Sequence, residues 1–460
     1  MALVMNPEIF REYDVRGVYE KDFNLEFAEN LGKAHVSYIK KHKNINNPRI
    51  TVGHDARLSS PDITNALVKG MVDSGAEVIR LGLIATPISY FSTFTMESIA
   101  GAIMVTGSHN PPEYNGFKIS VGNQTIFGEN IKQLEKIINA KDFITGKGKE
   151  SEYDILTPYV AYYKKQFSFS GDLNCVVDVA NGAAGCVVRR LYEAVGLKPL
   201  ILFEQPDGRF PNHHPDPTVE KYNRQLKEKV ISTKAKVGIG FDGDADRIGI
   251  IDHTGKMIYG DEIMAIVSRD ILKSKPGATI IGDVKCSDRL YEDIKAHGGK
   301  GIMWKTGHSL IKSKVKEEKS PFGGELSGHV FFADRNFGYD DAMYAGLRVL
   351  EIMDKTKKTI PELLENFGMA FNTPEIRVDT SEEKKYFVVK KLLENYPATN
   401  HEYAVNTIDG LRLSFKDGWA LVRPSNTQPV IVMRFESNSE AGLNRIQKEI
   451  ESKVTTYLNA

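Results

Sequence analysis

Apolar strand segments alternate with amphipathic helices along most of this chain, and the alternation restarts twice. No other feature limits the choice of fold as strongly. Strands are predicted at residues 49–52, 76–81, 99–105, 174–179, 199–203, 279–282 and 301–304. Helices are predicted from residue 60 onward, at 185–196 and at 287–296. Such alternation is typical of parallel βαβ units, which bind ligands at the carboxyl ends of their strands.

The last part of the chain follows a different pattern. Residues 411–415, 420–423 and 430–436 are typical of antiparallel strands, and residues 441–458 of a closing helix. The charged stretch at 381–391 is interpreted as a solvated helix face. We therefore predict three mixed α/β domains at 1–154, 155–257 and 258–368, and a smaller α+β domain at 369–460.

Composition excludes several classes of protein. Lys+Arg and Asp+Glu both number 60 in 460 residues, so no global basic field favours nucleic acid. Three cysteines without a CxxC pair fit a reducing compartment. The first residues carry charges where a signal peptide needs an apolar core, and no apolar run is long enough for a membrane span. We expect a cytoplasmic protein that binds neither nucleic acid nor a membrane.

One strand is followed by TGSHNPP, Thr106 to Pro112. This segment places the hydroxyl of Ser108 next to the imidazole of His109 on a sharp turn, and such loops on a rigid scaffold often carry chemistry. An ordinary polar turn is the alternative for this segment taken alone. Three further polar segments of the chain favour a functional site over an ordinary turn.

The first of these contains Asp242, Asp244 and Asp246, followed by Arg247. Alternate residues of extended backbone point the same way, so three carboxylates can converge, and oxygen ligands suit Mg, Ca or Mn rather than Zn. An EF-hand does not fit, because its required Gly and Glu fall on Arg247 and His253. The overlapping GxGxxG is interpreted as chance, because a hairpin rather than a helix is predicted at 248–259. An acidic surface turn is the other alternative.

The two remaining segments offer contacts for a phosphosugar. In GGELSGH, Glu325 can accept and Ser327 can donate hydrogen bonds to adjacent hydroxyls. A loop whose glutamate is satisfied within the protein is the alternative for this segment taken alone. In RPSNTQP, a guanidinium and several neutral donors suit a phosphate dianion. A capped hairpin turn is the alternative interpretation, and both can hold for the same segment. Those donors are Arg423, Ser425, Asn426 and Thr427.

Together these segments resemble the α-D-phosphohexomutase superfamily, and within it the bacterial phosphomannomutase/phosphoglucomutase group. The resemblance covers nearly the whole chain. Its motifs are FREYDVRG at 10–17, TGSHNPPEYNGFK at 106–118, FDGDADR at 241–247, DVKCSDRL at 283–290, KTGHSLIK at 305–312, GELSGH at 324–329 and RPSNTQP at 423–429. Leu326 and Gln428 depart from the residues common in that family, and both only neighbour the proposed contacts.

The resemblance implies a four-domain architecture around a central cleft and an exchange of hexose 1-phosphate and hexose 6-phosphate. Ser108 would carry the phosphoryl group, and Mg²⁺ would bind a phosphoserine oxygen with Asp242, Asp244 and Asp246. Hexose 1,6-bisphosphate would be the intermediate and activator. Arg16 and Arg247 would bind phosphate oxygens, and the candidates for proton transfer are Lys118, His109 and His329. Glu325 and Ser327 would bind the sugar 3- and 4-hydroxyls. The distal phosphate would be bound by Arg423, Ser425, Asn426 and Thr427, and further substrate contacts would come from Tyr13, Lys285, His308 and His329.

Other functions stay open at this point. A phosphoglucosamine mutase would use the same chemistry, although its serine loop usually has Ala where Gly107 stands. A metal-dependent sugar phosphatase would not need RPSNTQP, and a phosphosugar sensor would need neither nucleophile nor metal loop. The partner is expected to be a small phosphosugar, with glucose, mannose or both accepted, and the protein is expected to be a monomer or homodimer.

Overall fold

The computed structural model describes residues 3–170, 173–398, 402–425 and 428–460, which form four sheets in succession along the chain. The predicted fold class is confirmed: three α/β domains are followed by a smaller domain built on an antiparallel sheet. Within the described residues, no helix combines the length and the apolar character that crossing a membrane requires.

The first domain contains a sheet in the order β1-β5-β4-β2-β3-β7, with β6 beside β5. Its elements are β1 (Val15–Val18), α1 (Leu25–Lys43), β2 (Arg49–His54), α2 (Ser60–Asp73), β3 (Glu77–Leu83), α3 (Thr86–Thr95), β4 (Ile99–Val105), β5 (Tyr114–Val121), β6 (Gln124–Thr125), α4 (Glu129–Ala140) and β7 (Lys149–Glu152). The strands β4, β2, β3 and β7 are parallel, whereas β5 is antiparallel to β4 and β1.

The second domain has the sheet order β12-β11-β10-β8-β9. Its elements are α5 (Leu156–Lys164), β8 (Cys175–Asp178), α6 (Val188–Ala194), β9 (Leu200–Leu202), α7 (Arg224–Thr233), β10 (Val237–Phe241), β11 (Ile248–Asp252) and β12 (Met257–Ile258). The hairpin predicted at 248–259 is confirmed, since β11 pairs antiparallel with β12.

The third domain has the sheet order β14-β13-β15-β16. Its elements are α8 (Gly260–Ser274), β13 (Thr279–Asp283), α9 (Asp288–Ala296), β14 (Lys300–Trp304), α10 (His308–Glu317), β15 (Phe322–Gly324), β16 (Val330–Phe332), α11 (Ala342–Thr356) and α12 (Ile360–Leu363). One apolar core runs through the second and third domains and includes Ile88 and Phe91 of α3.

The fourth domain has the sheet order β17-β22-β21-β20-β19, with β18 also paired to β22. Its elements are β17 (Phe371–Asn372), β18 (Ile376–Asp379), α13 (Glu382–Asn395), β19 (Tyr403–Asn406), β20 (Leu411–Phe415), β21 (Gly418–Pro424), β22 (Val430–Ser437) and α14 (Glu440–Asn459). Every pairing in this sheet is antiparallel within the described residues. The domain boundaries near 154, 257 and 368 stay a prediction.

Two local predictions need correction. The helix predicted at 185–196 is a short 3-10 turn, Ala183–Cys186, followed by α6. Gly185 packs against the backbone there, since an added Cβ would lie 1.9 Å from the carbonyl oxygen of Glu204. The charged stretch at 381–391 does form a helix, but it is not simply solvated, because Lys385 and Val388 are buried against the sheet.

The fourth domain docks on the third through a buried tryptophan. Trp419 is 1% exposed, and its ring centroid lies 3.7 Å from the guanidinium carbon of Arg412 and 5.5 Å from that of Arg434. Its indole Nε1 donates to Glu436 Oε1 at 3.1 Å, and Ser287 Oγ of the third domain donates to the same oxygen at 2.6 Å. The two arginines stacked on Trp419 donate to the backbone carbonyls of residues 284 and 285 in the third domain. These bonds and the Ser287–Glu436 bond hold the last sheet against the third domain.

Two glycines allow α1 and α2 to pack backbone to backbone in the first domain. An added Cβ at Gly70 would lie 1.9 Å from the carbonyl oxygen of Glu29, and one at Gly32 would lie 2.2 Å from that of Leu67. Real Cβ atoms do not approach a carbonyl oxygen so closely, so the two helices would have to separate.

We expect Gly70→Ala to lower the melting temperature of the protein. Alanine favours a helix by about 1 kcal/mol over glycine, but overpacking typically costs about 1–3 kcal/mol. Lys69→Ala is the control, because the Lys69 side chain on the same helix is 60% exposed. Differential scanning calorimetry checks the prediction, and a Gly70→Ala protein as stable as the wild type would contradict the close packing.

Candidate functional site

Four polar loops form the candidate site, and each one joins two antiparallel strands. The Ser108 loop lies between β4 and β5, and the aspartate loop between β10 and β11. The Glu325 loop lies between β15 and β16, and the Arg423 loop between β21 and β22. In the three α/β domains, the first strand of each hairpin also pairs in parallel, so the loop follows the carboxyl end of a parallel strand.

Ser108 is held in a restricted position. Its backbone is left-handed, with φ at 50°, and the residue is buried. Its hydroxyl donates to Asp242 Oδ2 at 3.0 Å and lies 3.2 Å from His109 Nδ1. A non-glycine residue in this conformation is uncommon and marks a constrained loop. The predicted nucleophile and the first predicted metal ligand are therefore in contact.

The Ser108 loop is anchored by two residues that the sequence analysis did not single out. Asp55 accepts from Thr106 Oγ1 at 2.8 Å and from the Gly107 amide at 3.1 Å. The guanidinium of Arg57 donates to four backbone oxygens, those of Ser108, Asn110, Pro111 and Tyr114. Burial lowers the pKa of Arg57 despite its contact with Asp55. These bonds satisfy carbonyls that a sharp, buried turn would otherwise leave unpaired.

The three aspartates of the second loop are completely buried and converge. Oxygens of Asp242, Asp244 and Asp246 lie within 4.8 Å of one another. One oxygen of Asp244 has no hydrogen-bond partner, and burial together with the neighbouring carboxylates raises the pKa of Asp242 well above its ordinary value. Mutual repulsion and an orphaned buried oxygen are the features that a bound cation relieves. The residues thus fit a divalent metal, and oxygen ligands alone favour a hard cation.

Lys118 extends from β5 into this cluster. Its Nζ lies 2.8 Å from Asp244 Oδ2 and also contacts Asp246. Burial alone would lower the pKa of Lys118, but Asp244 and Asp246 outweigh it and raise the pKa well above the ordinary value. Thr86, at the start of α3, donates to Asp244 Oδ2 at 2.6 Å. The sequence analysis did not single out Thr86, which links α3 to the aspartate loop.

The two arginines predicted for phosphate oxygens belong to elements next to the Ser108 loop. Arg247 ends the aspartate loop that contacts Ser108, and Arg16 lies on β1, which pairs with β5. Burial, and then the positive charges of Arg247 and Arg16, hold the pKa of His109 well below its ordinary value. Arg247 Nε donates to His329 Nε2 at 3.2 Å, and Arg16 pairs with Asp14. Two arginines near one hydroxyl suit a tetrahedral dianion there.

The Glu325 loop is built around a buried acid–imidazole pair. Glu325 Oε2 lies 2.9 Å from His329 Nδ1, and Oε1 accepts from the Gly307 amide at 2.6 Å. His329 Nε2 lies 3.3 Å from Asp246 Oδ1, which joins this loop to the metal cluster. Burial would lower the pKa of His329, but Asp246 and Glu325 raise it. Ser327 Oγ lies 3.4 Å from His329 Nδ1.

A chain of contacts crosses the cleft from the first domain to the fourth. Tyr13 donates its hydroxyl to the Thr306 carbonyl at 2.7 Å, and the Thr306 amide donates to Asp409 Oδ2 at 3.0 Å. Asp409 in turn accepts from Arg423 Nε at 2.9 Å. Asp409 outweighs burial and raises the pKa of Arg423. Hydrogen bonds through Thr306 of the third domain thus connect Tyr13 to Arg423.

The other predicted contacts lie around the same cleft. Lys285 Nζ lies 3.3 Å from Glu375 Oε2, and the His308 ring centroid lies 5.9 Å from that of Tyr13. Ser425 is buried, and its carbonyl accepts from Lys385 Nζ at 2.7 Å. Asn426 and Thr427 lie outside the described residues, so their predicted role stays a prediction.

The residues missed by the sequence analysis differ in how they could have been found. Asp55 and Arg57 follow β2 directly, and a polar segment after a strand is the same signal that drew attention to Ser108. Asp409 and Lys385 had no local signal, because their importance comes from partners in distant loops.

Comparisons with known proteins agree with this arrangement. Four sequence models of the family described as phosphoglucomutase/phosphomannomutase match in order: alpha/beta/alpha domain I at residues 7–145, domain II at 157–255, domain III at 259–369 and the C-terminal domain at 375–453. A phosphomannomutase/phosphoglucomutase of Pseudomonas syringae pv. tomato is 41% identical over 97% of this chain and 95% of its own length. A phosphoglucomutase of Neisseria gonorrhoeae is 38% identical over 97% of this chain and 96% of its own.

A solved structure gives the same result. The crystal structure of a phosphoglucomutase/phosphomannomutase family protein from Burkholderia thailandensis superposes with a TM-score of 0.92 at 38% identity, covering 99% of this chain and 98% of that one. The chain belongs to the phosphoglucomutase/phosphomannomutase family of α-D-phosphohexomutases, which are isomerases of hexose phosphates.

We expect Asp244→Asn to weaken divalent-metal binding by about tenfold or more, because the number of charged ligands sets the affinity of oxygen sites. Asp252→Asn is the matched control: Asp252 is also buried, but it only caps the β11–β12 hairpin through Thr254 and Lys256. Titration of Mn²⁺ followed by electron paramagnetic resonance measures the affinity without turnover. Equal Mn²⁺ affinity in the two variants would contradict the assignment of the site.

Proposed function

We propose that this phosphohexomutase transfers a phosphoryl group between Ser108 and a hexose phosphate, and so interconverts hexose 1-phosphate and hexose 6-phosphate. The observation that carries the proposal is the contact between the Ser108 hydroxyl and Asp242, at 3.0 Å, inside a cluster of buried carboxylates. A serine hydroxyl at a cation site is suited to become a phosphoserine whose oxygen completes the metal coordination.

The transfer step exchanges two phosphorus–oxygen bonds. The bond between phosphorus and Ser108 Oγ breaks as a bond to a sugar hydroxyl oxygen forms, and the hydroxyl proton passes to a protein base. Phosphate monoesters are very inert, so charge must be stabilised in the transition state. Arg247 and Arg16 are proposed to hold the equatorial oxygens. Mg²⁺, when bound by the aspartates, would neutralise charge that develops on the phosphoryl oxygens.

The proton is proposed to move through one of the polar groups next to Ser108. His109 Nδ1 lies 3.2 Å from the hydroxyl oxygen, and Lys118 and His329 contact the carboxylates that surround it. His109 is within hydrogen-bond reach of the Ser108 hydroxyl, and Lys118 and His329 are the other proposed general acids or bases. Because the reaction is reversible, the group that accepts the proton in one direction returns it in the other.

The product of the first transfer is a hexose 1,6-bisphosphate, which has to turn end for end before its other phosphate returns to Ser108. One distal site must therefore bind either phosphate, and Arg423, Ser425, Asn426 and Thr427 are proposed to form it. The sugar 3- and 4-hydroxyls lie midway between the phosphates. Glu325 and Ser327 are proposed to bind these hydroxyls in both orientations, and Tyr13, Lys285, His308 and His329 to provide further contacts.

The same geometry suggests the substrate range. The proposed contacts are at the 3- and 4-hydroxyls and not at the 2-hydroxyl, the position at which glucose and mannose differ. Glucose and mannose phosphates are therefore both proposed substrates. Catalytic hexose 1,6-bisphosphate is the proposed activator. Three free cysteines in the described residues, at 175, 186 and 286, support the proposal that the enzyme acts in the cytoplasm, where thiols stay reduced. A monomer or homodimer is the proposed oligomeric state.

We expect Ser108→Ala to lose most turnover, at least about tenfold, because the covalent carrier is removed. Its affinity for glucose 1-phosphate should change little. The control is Ser120→Ala, a buried serine further along β5. Intact-mass measurement after incubation with glucose 1,6-bisphosphate should show one added phosphate on wild type and control only. Wild-type turnover by Ser108→Ala would overturn the mechanism, and release of inorganic phosphate alone by the wild type would indicate a phosphatase.

Arg423→Ala should raise KM by about tenfold to a hundredfold, the effect of losing a charged hydrogen bond. The turnover number should change less, because a phosphate anchor acts in both the ground state and the transition state. Arg445→Ala removes an arginine whose side chain is 50% exposed and paired with Asp417 in the same domain, and it serves as the control. Steady-state kinetics with glucose 1-phosphate separate the two parameters. A fall in turnover at unchanged KM would contradict the anchoring role.

A further inference from the structure

Two buried polar atoms without hydrogen-bond partners face each other behind the cleft. His308 Nδ1 and Asp340 Oδ2 are 3.6 Å apart, and each lacks a partner elsewhere. Asp340 is fully buried, and His308 is nearly so. An unpaired buried donor or acceptor costs about 1–3 kcal/mol, so the two atoms gain from pairing with each other. A closer approach of a few tenths of an ångström makes this an ordinary hydrogen bond.

The other oxygen of Asp340 is already held from the same helix. Lys312, one turn after His308 on α10, donates from Nζ to Asp340 Oδ1 at 3.0 Å. The ammonium group also lies 4.1 Å from the centroid of the Tyr90 ring. Residues at positions i and i+4 share one helix face, so both side chains reach Asp340 together. Lys312 therefore fixes the carboxylate in the orientation that presents Oδ2 to His308.

The neighbouring aspartate has a different set of partners. Asp341 Oδ1 accepts from the Tyr344 amide at 2.9 Å and caps α11, and Oδ2 accepts from Tyr159 at 2.8 Å. Asp341 therefore stabilises the start of α11 as its N-cap. Asp340 takes no part in the cap. Its carboxylate contacts Lys312 and His308, and it also lies within 4.8 Å of ligand atoms of Asp246 and His329.

The protonation of His308 decides what its ring can do. Burial, followed by the charges of Lys312 and Lys118, holds the pKa of His308 well below its ordinary value. The imidazole is therefore neutral and has one N–H, whose position is set by the partner of each nitrogen. A carboxylate oxygen accepts but cannot donate, so it selects a proton on the nitrogen that faces it.

We propose that Asp340 is a positioning residue that holds His308 as the Nδ1–H tautomer, so that Nε2 accepts a hydrogen bond from a hydroxyl of the bound hexose phosphate. The identity of the ligand rests on the proposed function. The ring centroid of His308 lies 5.5 Å from that of His329 and 5.9 Å from that of Tyr13, which places this acceptor among the predicted substrate contacts. A carboxylate behind the imidazole would also increase its strength as an acceptor.

The sharpest test changes the carboxylate to an amide. In Asp340→Asn, the amide oxygen should stay with the Lys312 ammonium, which turns the amide N–H groups toward His308. Nδ1 would then have to accept, and the proton would move to Nε2. Asp341→Asn is the matched control, because that carboxylate is as buried and adjacent in sequence but does not face His308.

Long-range ¹H–¹⁵N NMR of histidine-labelled protein reads the tautomer directly, with the His308 signals assigned by their loss in His308→Gln. We expect a protonated Nδ1 in the wild type and in Asp341→Asn, and a protonated Nε2 in Asp340→Asn. Turnover should fall about 10–100-fold in Asp340→Asn, as when the partner behind a functional histidine is removed, with a smaller change in KM.

A protonated Nε2 in the wild type would overturn the proposal, whatever the activity. So would an unchanged tautomer in Asp340→Asn, or a turnover loss no larger than that of Asp341→Asn. Because the wild-type NMR spectrum needs no turnover, an enzyme inactive on hexose phosphates but with the expected tautomer would refute the proposed function separately, and with it the assigned hydroxyl ligand.

Discussion

Charge balance around Ser108 is the constraint on which the rest of the site depends. Three buried aspartates converge there; Lys118 contacts two of them, and His329 contacts Asp246. The carboxylates still repel one another, and with burial this raises the pKa of Asp242 well above its ordinary value. A divalent cation would relieve that repulsion in a region where an uncompensated charge is very costly. In the proposed mechanism, phosphate on Ser108 adds a dianion beside this cluster, which Arg16 and Arg247 are proposed to compensate.

The same structural element, an antiparallel hairpin, holds each of the four site loops. Each site loop is the turn of an antiparallel hairpin, so both of its ends are held by strand hydrogen bonds. His329 also joins the Glu325 loop to the aspartate loop, whereas Glu325 and Asp409 bond to the backbone at residues 306 and 307. Arg57 stabilises the Ser108 loop from within, because its guanidinium donates hydrogen bonds to backbone carbonyls of that loop. Rigid backbone geometry can thus position charged side chains before the substrate binds.

Much of this arrangement could be predicted from the sequence, because the relevant signals are local. Periodicity identified the strands at 99–105 and 411–415 with the bounds that the structure shows, and turn residues after strands identified Ser108 and the aspartates. Sequence reasoning did not foresee that β5 and β16 return antiparallel to complete each hairpin, because strand direction depends on the connection rather than on composition.

The remaining features depend on contacts between distant segments. Lys385 belongs to a stretch interpreted as solvated, yet its ammonium is buried because the Ser425 carbonyl accepts from it. Asp340 and Asp341 are adjacent in the sequence, and only their contacts in the folded chain distinguish the cap of α11, Asp341, from the partner of His308, Asp340. Family resemblance supplied the proposed roles of Tyr13, Lys285 and His308, which no spacing could have predicted.

In the proposed function, one active site exchanges phosphate between the two ends of a hexose through Ser108. The first measurement is a ³¹P NMR time course with purified protein, Mg²⁺, catalytic glucose 1,6-bisphosphate, and glucose 1-phosphate or mannose 1-phosphate in parallel. We expect the 6-phosphate signal to grow at the expense of the 1-phosphate signal with both sugars, without accumulation of inorganic phosphate. Growth of inorganic phosphate without any 6-phosphate would contradict it.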